Sequence, residues 1–515
     1  MAPEGVEQRR PHLLMVPLEE QGHFVVYVQL LYYLSRFDIR VTVCSTTKRN
    51  RELAELQSRG AFKDLDLRLE DAFFESDAAT RANQVGATPA LWTVVSDMND
   101  QFKPYLSRLL DEQDPDAKPS FMLADFFLTW AQEAADKLNI PRYMMFTTPA
   151  WAAWSTMTGK VENWEARPDD PVTPPGMFSM RIGDCLPPKL PSLVDFRDAA
   201  GLLCNSFEEL EGGMTDALRA LIQKHPTSSG KVTKVLPIGP MLRLPGNPDP
   251  DAVEHGSSDC LKWLDLQAPA SVLYVALGTQ AKVGVETFAA IAQGLEASGV
   301  PFLWALRLSP GAEDLSSVLL PAFIERTKGR GFVETKFAPQ LQILNHPSTG
   351  GHLSHCGWNS TIESICTGVP VISLPLHGDQ PLNARSVPCL CQLSLSYGSF
   401  AVVRCMILLS AFLPTDLSLI SRKNWRKRNL HAEAGMCRAL AEMFKTGLTI
   451  PKPNGVLAGD DVLQSIRSVM LGEEGLQLRR NAQGLKKAAR ASQEEGGSSN
   501  INVKCFVEEV LASVS

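Results

Sequence analysis

Short apolar runs alternate with stretches of helical periodicity along the first half of the chain. The apolar runs predict strands at residues 12–17, 39–44, 121–125 and 142–146. Between them, residues 24–36 and 128–138 carry apolar positions at helical spacing, with Leu30, Leu31 and Leu34 on one face of the first. Because strands that alternate with helices form parallel sheets, this half predicts one doubly wound α/β domain.

The second half of the chain repeats this pattern. The predicted strands cover residues 272–277, 301–306, 331–337 and 369–374. A helix predicted over residues 286–298 ends at Gly299, a residue type that commonly terminates helices. A second doubly wound domain is therefore expected, and residues 244–258, rich in Pro, Gly and Asp, are typical of a linker. The cleft between two such sheets is the expected ligand site, because ligands bind outside the carboxyl ends of parallel strands.

The composition of the 515-residue chain is that of an ordinary globular protein, with 44% hydrophobic and 21% charged residues. Its net charge of −7 gives no basic field for nucleic acid or anionic lipid, so neither is expected as a partner. No apolar run reaches the roughly 18 residues that span a bilayer, and the chain start lacks the apolar core of a signal peptide. The eleven cysteines are scattered without a CxxC pair. We therefore expect a soluble, cytoplasmic protein with reduced thiols.

The densest cluster of unusual residues is the segment 348–363, STGGHLSHCGWNSTIE. A predicted strand ends there at a Gly-containing turn that opens a helix. Free backbone N–H groups and the positive end of the helix dipole therefore meet at residues 355–360 and form an anion site. Asn359 and Glu363 are four residues apart and share a helix face. A nucleotide fits this geometry, with its phosphates at the first turn and a sugar hydroxyl at the carboxylate.

Two other interpretations of this segment are open. A Gly pair before a helix is often only a turn, and the polar residues around it are what favour a binding site. A zinc site built from His352, His355 and Cys356 is conceivable, but it lacks a second ligand cluster at metal spacing. No metal and no cofactor are expected.

Residues 337–380 (FAPQLQILNHPSTGGHLSHCGWNSTIESICTGVPVISLPLHGDQ) resemble the 44-residue signature of plant family-1 UDP-sugar glycosyltransferases in length and at both ends. The similarity continues in MVPLEEQGHF, ADFFLTW, CNSFEELE, CLKWLD, SVLYVALGT and EEGGSSNINVKCFVEEV. Within the family, the wording HPSTGGxLSHCGWNS and HGDQPLN is similar to the zeatin O-glucosyltransferase-like branch. The resemblance implies a GT-B fold, in which two Rossmann-like doubly wound domains face each other across a cleft.

The domains implied by this resemblance follow the two halves of the chain. Residues 1–243 would bind the acceptor, residues 244–258 would link the domains, and residues 259–495 would bind the UDP-sugar. The terminal residues 496–515 would form a helix that returns to the N-terminal domain. The partners are then a UDP-sugar donor and a small hydroxylated acceptor, and we expect a monomer.

The resemblance also implies which residues bind the donor. They are Thr279, Phe337, Ala338, Gln340, His355, Trp358, Asn359, Ser360, Glu363, Asp379 and Gln380, with Thr147 of the first domain touching the sugar. Phe337 and Gln340 would meet the uracil, and Glu363 would hold the ribose hydroxyls. The residues around the diphosphate would be Thr279, His355, Asn359 and Ser360. Asp379 and Gln380 would bind sugar hydroxyls, and a glutamine at the place of Gln380 goes with glucose in this family.

The catalytic base implied by the family is His23, in the Gly-His turn after the first predicted strand. An alcohol is a poor nucleophile at neutral pH, so an imidazole within hydrogen-bond reach must take its proton in the transition state. Asp125, at the end of another strand of the same sheet, would orient this imidazole and stabilise its charged form. The implied reaction is a single displacement that inverts the anomeric carbon from α to β.

Some positions depart from the family pattern. Phe337 stands where a stacking Trp is usual, Ala276 and Leu277 replace a Ser-Phe pair, and His352 replaces an apolar residue. The largest departure is the segment 388–440, which carries a net charge of +5 and whose removal would join NARSV to AEMFKTGLTIPKPNG. We interpret it as an insertion that packs poorly against both domains.

Three functions are compatible with these observations. The first is an inverting UDP-glucose-dependent transferase that glucosylates a hormone, flavonoid, terpenoid or simple phenol. The second is a chain impaired by the insertion, which at most binds nucleotide or ligand. A nicotinamide-dependent dehydrogenase is disfavoured, because no GxGxxG follows the first predicted strand.

Overall fold

The computed structural model describes residues 9–73, 87–162, 169–172, 180–181, 196, 198–225, 232–242, 259–278, 284–306, 321–335, 338–376, 380, 383, 447–450 and 457–514. The predicted linker (244–258) and the predicted insertion (388–440) lie outside these residues. So do three of the predicted site residues, Thr279, Phe337 and Asp379.

The first half of the chain forms a parallel β-sheet. Its strands are β1 (His12–Val16), β2 (Arg40–Thr46), β3 (Asp66–Phe73), β4 (Phe121–Asp125), β5 (Arg142–Phe146), β8 (Gly201–Cys204) and β9 (Lys234–Pro237), and a separate short hairpin consists of β6 (Pro171–Val172) and β7 (Met180–Arg181). In the described residues the strand order is β3-β2-β1-β4-β5-β8-β9. The chain runs first to one side of β1 and then to the other, which is the doubly wound arrangement.

Helices cover both faces of this sheet. They are α1 (Gln21–Leu34), α2 (Thr47–Ser58), α3 (Ala87–Asp111), α4 (Ala131–Leu138), α5 (Ala150–Val161) and α6 (Glu208–Gln223). In β1, Leu13 and Met15 pack in an apolar layer with residues of α1, whereas Leu14 and Val16 pack in the opposite layer with residues of α3. The central strands are thus buried on both faces, which is why they are continuous apolar runs in the sequence.

The second half forms another parallel sheet. Its strands are β10 (Val272–Ala276), β11 (Phe302–Ala305), β12 (Gly331–Glu334), β13 (Thr349–Ser354), β14 (Val371–Ser373) and β15 (Gly447–Thr449). Within the part of the chain that the structure describes, their order is β12-β11-β10-β13-β14-β15. The order again reverses at the first strand, so β10 lies between β11 and β13.

The helices of this half pack around the second sheet. They are α7 (Asp259–Asp265), α8 (Val285–Ser298), α9 (Pro321–Arg326), α10 (Gln340–Asn345), α11 (Trp358–Thr367), α12 (Gly459–Met470) and α13 (Glu473–Gln493). The helix α8 ends at Gly299, which has a φ of 71° and forms a left-handed C-cap. Glycine suits this position because it has no Cβ to oppose a positive φ.

The last helix, α14 (Ser498–Ala512), packs on the first sheet. The ring of Phe506 lies 5.3 Å from that of Tyr143, and the Tyr143 hydroxyl donates a 2.8 Å hydrogen bond to Glu509. Gly201 makes room for this tyrosine, since a Cβ there would lie 1.9 Å from the Tyr143 ring. The C-terminus therefore returns to the N-terminal half. In the described residues, no helix is both long and apolar enough to cross a membrane.

Candidate active site

In each sheet the strand order reverses at one point, and the turns at these two points are in contact. In the first sheet, β1 and β4 are neighbours, and the chain leaves them in opposite directions across the sheet. In the second sheet, the chain leaves the neighbouring strands β10 and β13 in opposite directions as well. Asn359, in the first turn of α11 after β13, donates a 2.8 Å hydrogen bond from its amide to the carbonyl of Gly22, in the first turn of α1 after β1. The two predicted halves of the site therefore meet directly.

His23 is hydrogen-bonded to the carboxylate at the end of β4. Its Nδ1 lies 2.7 Å from Oδ2 of Asp125, a side chain that is fully buried. The other oxygen, Oδ1, accepts the backbone N–H of Phe127 at 3.1 Å, which fixes the carboxyl group. Because a carboxylate only accepts hydrogen bonds, it favours the tautomer with hydrogen on Nδ1 and a lone pair on Nε2.

The sequence placed His23 in a turn before the first helix, and that placement is wrong. The helix α1 begins at Gln21, so His23 belongs to its first turn. The backbone N–H of His23 accordingly bonds to the carbonyl of Glu20 at 2.9 Å. A helical backbone at this point restricts the imidazole to helical rotamers and so supports a fixed orientation.

Thr147 lies at the carboxyl end of β5 and contacts the same imidazole. Its hydroxyl oxygen lies 3.0 Å from Nδ1 of His23, and the side chain is 4% exposed. The family resemblance implies that this residue touches the sugar, and in the structure its hydroxyl contacts His23 as well. The rings of Phe126 and Phe127 both pack near the imidazole, with centroids 5.9 and 5.5 Å away.

Glu211 holds the segment that carries Thr147, and sequence reasoning missed it. Its buried carboxylate accepts the backbone N–H groups of Ala150 (2.8 Å) and Trp151 (3.2 Å) at the start of α5, and the hydroxyl of Ser206 at 2.5 Å. Burial raises the pKa of this carboxyl, whereas the three hydrogen bonds lower it. A carboxylate at a helix N-terminus satisfies otherwise unpaired N–H groups. The sequence signal that could have found Glu211 is its position at the end of CNSFEELE, one of the segments that resemble the family.

The N-terminus of α11 is shaped by residues on both sides of the motif. Cys356 has a φ of 63°, and its backbone N–H bonds to the hydroxyl of Ser354 at 3.1 Å. Its carbonyl accepts a 2.9 Å hydrogen bond from the amide of Asn383, which is fully buried. Asn383 was not predicted, although it lies in the HGDQPLN wording. These contacts fix the turn whose N–H groups face the expected anion site.

The imidazole of His355 packs against two glycines, Gly278 after β10 and Gly357 just before α11. A Cβ at Gly278 would approach Nε2 of His355 to 2.6 Å, and one at Gly357 would approach it to 2.5 Å. Gly278 also has a φ of +81°. Any larger residue would therefore displace the imidazole from the end of β10.

The residues expected at the uridine form one hydrogen-bonded cluster. The Gln340 amide donates to the hydroxyl of Ser360 at 3.0 Å and to the Glu363 carboxylate, and its oxygen accepts from the Tyr274 hydroxyl at 3.2 Å. Burial raises the pKa of the Glu363 carboxyl to about 7, although the hydrogen bond from Gln340 lowers it. Tyr274 was missed, because only the fold brings β10 beside α10. Ala338 is half-buried just before this helix.

His352 is a neutral core residue rather than a ligand. Its Nδ1 lies 2.8 Å from the Ser364 hydroxyl, and its ring stacks on Tyr274 at 5.1 Å. Burial, with a smaller contribution from the neighbouring His355, lowers the pKa of this imidazole to about 3. Among the described residues, no three His, Cys, Asp or Glu side chains are grouped so as to hold a metal.

Trp358 occupies a different place from the one expected. Its indole N–H donates to the carbonyl of Asn205 at 2.7 Å, and the side chain is 4% exposed. It packs with Phe207 and Leu210 of the first domain in an apolar cluster with α13. A donor-binding role for the indole does not fit this placement, since the ring is buried between the domains; only its backbone remains at the helix start.

Gln380 is a buried side chain held by the segment that follows β14. Its side chain is 5% exposed, and its amide oxygen accepts the backbone N–H of Leu376 at 3.0 Å. This bond orients the amide nitrogen away from Leu376. The three remaining predicted residues, Thr279, Phe337 and Asp379, lie outside the described residues.

Known proteins are similar to this chain in sequence and in fold. Residues 254–394 match the family described as "UDP-glucoronosyl and UDP-glucosyl transferase". A mogroside IIIx synthase of Siraitia grosvenorii is 31% identical over 399 residues, which cover 72% of this chain and 82% of the relative. UDP-glycosyltransferase 73E1 of Stevia rebaudiana is 28% identical over 530 residues, 98% of this chain and 97% of the relative. The structure of Phytolacca americana UGT2 with UDP-2fluoro-glucose and pterostilbene is 25% identical, with a TM-score of 0.71, covering 97% of this chain and 99% of that one.

These likenesses and the two facing Rossmann-like sheets define a GT-B glycosyltransferase. The chain belongs to the plant family-1 UDP-glycosyltransferases, enzymes that transfer a sugar from a UDP-sugar to a small-molecule acceptor. The zeatin O-glucosyltransferase-like branch stays a prediction.

Proposed function

We propose that this enzyme transfers glucose from UDP-glucose to a hydroxyl of a small acceptor with inversion, and that His23 is the base. The observation that carries the proposal is the hydrogen bond of His23 to the buried Asp125, together with the contact between Gly22 and Asn359. On this proposal the base and the helix N-terminus that binds the diphosphate belong to contacting turns of the two domains. A displacement reaction needs this arrangement of nucleophile and leaving group.

The base step follows from the tautomer of His23. With hydrogen on Nδ1 directed to Asp125, Nε2 accepts the proton of the acceptor hydroxyl. The acceptor oxygen then bonds to the anomeric carbon, and the bond from that carbon to the UDP oxygen breaks, so UDP leaves with the electron pair. Asp125 stabilises the imidazolium that forms.

The leaving group gains negative charge as this bond breaks. The helix α11 begins at Trp358, and the helix dipole adds positive potential at this N-terminus. We assign His355, Asn359 and Ser360 to the diphosphate, and Gln340 with Glu363 to the uridine. The hydrogen bonds of Asn359 to Gly22 and of Gln340 to Ser360 and Glu363 support this, because they hold these side chains in place before the nucleotide arrives.

Glucose is the proposed sugar because of Gln380, with Asp379 beside it in the sequence. A buried amide whose oxygen is already held by a backbone N–H has a fixed direction, which suits recognition of a defined set of hydroxyls. A fluorinated UDP-glucose in the complex of the Phytolacca americana relative is consistent with this choice.

Donor and acceptor competition assays test this function. The purified full chain should be supplied with UDP-glucose, UDP-galactose, UDP-xylose and UDP-glucuronate at equal concentrations. Pterostilbene, a flavonoid, a terpenoid alcohol and a simple phenol serve as acceptors. We expect the fastest transfer from UDP-glucose. Faster transfer from another donor would refute the glucose assignment, and no transfer from any donor would refute the function for this chain.

A further inference from the structure

Arg49 lies beside the segment that carries His23, as the fold requires. The helix α2 starts directly after β2, with the Thr46 hydroxyl accepting the backbone N–H of Arg49 at 3.4 Å. Since β2 is the parallel neighbour of β1, the first turn of α2 lies next to the connection between β1 and α1. Arg49 is 8% exposed and is therefore an unusually buried arginine.

The guanidinium contacts this connection at three points. Its Nε donates to the carbonyl of Glu19 at 2.9 Å, and its Nη1 donates to the side-chain oxygen of Gln21 at 2.6 Å. Its Cζ lies 5.0 Å from the ring centre of Phe24, within the range of a cation–π contact. These contacts lie before and after His23 in the chain.

The start of α1 depends on such contacts. Glu52 pairs with Nη1 of Arg49 at 2.7 Å and holds the guanidinium from its own helix. A planar guanidinium with several fixed donors, bound to the Glu19 carbonyl and to the Gln21 side chain, can therefore fix the entry of α1.

We propose that Arg49 is a positioning residue of this enzyme: it fixes the first turn of α1 so that the imidazole of His23 is aligned with the acceptor hydroxyl. Arg49 acts through Gln21 and Phe24 and touches no substrate. The opposite side of the same turn is held by Asn359 at Gly22, so the turn is clamped from both domains. This inference rests on the proposed role of His23 as the base.

The test compares Arg49→Met with Arg51→Met. Methionine keeps much of the apolar length that packs on Phe24 and removes every donor. Arg51 is exposed on the same helix and makes a matched control. Rates are measured with 4-methylphenol and 4-nitrophenol, acceptors of similar size of which only the second is substantially ionised near neutral pH. UDP affinity is measured by calorimetry.

A misaligned base slows an acceptor that needs proton removal more than one that is already ionised. We expect Arg49→Met to lower kcat for 4-methylphenol about 10- to 100-fold, with a clearly smaller loss for 4-nitrophenol and an unchanged UDP affinity. Arg51→Met should match the unaltered chain. Equal losses for both phenols would indicate general destabilisation and overturn the proposal, as would no loss.

A second measurement does not depend on activity. The chain has nine histidines, so NMR with ring-labelled histidine can resolve the His23 signal, assigned by its loss in His23→Ala. Arg49→Met should shift or broaden this signal, and an unchanged signal would overturn the proposal. A chain that transfers no sugar would refute the proposed function, while the His23 signal would still decide whether Arg49 positions the imidazole.

Discussion

His23 shows how one residue can combine a fixed orientation with a proton-accepting nitrogen. The described contacts of its ring to Asp125 and Thr147 both involve Nδ1, and the buried carboxylate fixes the tautomer. The sequence indicated His23 and Asp125 because both lie at or just after the ends of predicted strands. The resemblance to the family then selected them as the predicted catalytic pair. The role of Arg49, Glu211 and Asn383 could not be predicted, because each acts on residues that are distant in the chain.

Removal of the base gives the first prediction. His23→Ala should lower kcat about 10²- to 10⁴-fold for an alcohol acceptor, because no other group then takes the proton. UDP affinity should be unchanged, since the nucleotide residues belong to the second sheet. Asp125→Asn should cause a smaller loss, because its role is orientation and charge support. Steady-state rates and calorimetry check both variants, and near-full activity of His23→Ala would remove it from the mechanism.

Glu363 gives a prediction about pH and stability. Burial raises the pKa of the folded carboxyl from an ordinary 4.5 to about 7, so the folded state binds more protons than the unfolded state between these values. The contribution of this group to the free energy of unfolding is therefore complete below about pH 4.5 and is lost as the pH rises through 7.

Glu363→Gln removes this dependence. In urea unfolding without ligand, the variant should gain stability relative to the unaltered chain between pH 5 and pH 8. The exposed Glu473 supplies the control Glu473→Gln, for which no such relative gain is expected. A stability difference between Glu363→Gln and the unaltered chain that stays constant with pH would contradict the raised pKa.

At the scale of elements, buried strands were the most predictable parts. The strands at residues 121–125 and 142–146 were predicted with their observed bounds, because both faces of each are buried and each run is apolar except for one charged residue at one end. The edge strand β3 was missed, since its positions are mostly half-buried and carry charges. The helix predicted from residue 128 begins at Ala131, because Leu128 and its neighbours form a turn bonded to the Asp125 carbonyl.

The turn after β10 gives the prediction at this scale. Gly278→Ala should weaken UDP binding at least about tenfold, because its Cβ would displace His355 from the start of α11. Gly299→Ala is the matched control: it also imposes a positive φ of 71° on alanine, but a Cβ there meets nothing within 4 Å. Both changes should cost about 1–2 kcal/mol of stability through the backbone strain.

Calorimetry with UDP and urea unfolding separate the two effects. Only Gly278→Ala should lose nucleotide affinity. Equal UDP affinity in both variants would show that the absence of a Cβ at Gly278 is not needed for the nucleotide site.

At the scale of the whole molecule, the structure contains the two predicted doubly wound domains, and specific contacts join them. The sequence could predict two doubly wound units, because each repeats the strand and helix pattern. It could not predict that Trp358 packs between them, since a tryptophan in a binding motif is equally compatible with ligand contact. The path of the terminal helix to Tyr143 came from the family resemblance and not from any pattern in the residues.

The segment 388–440 gives a prediction at this scale. Of the 73 residues between β14 and β15, its deletion leaves 20, which exceeds the dozen or so that a parallel crossover needs. A variant that joins Val387 to Ala441 should therefore fold and should bind UDP-glucose at least as tightly as the full chain. Thermal unfolding and calorimetry make the comparison. Higher stability and affinity of the full chain would show that the segment belongs to the fold.

The proposed positions of the base and of the anion site determine the stereochemistry of the product. If the base after β1 and the anion site after β13 lie on opposite sides of the anomeric carbon, one displacement inverts it. The direct measurement is the anomeric configuration of the product formed from UDP-α-glucose, determined by proton NMR before any equilibration. A β-glucoside is the predicted result, and an α-glucoside would contradict the single displacement assisted by His23.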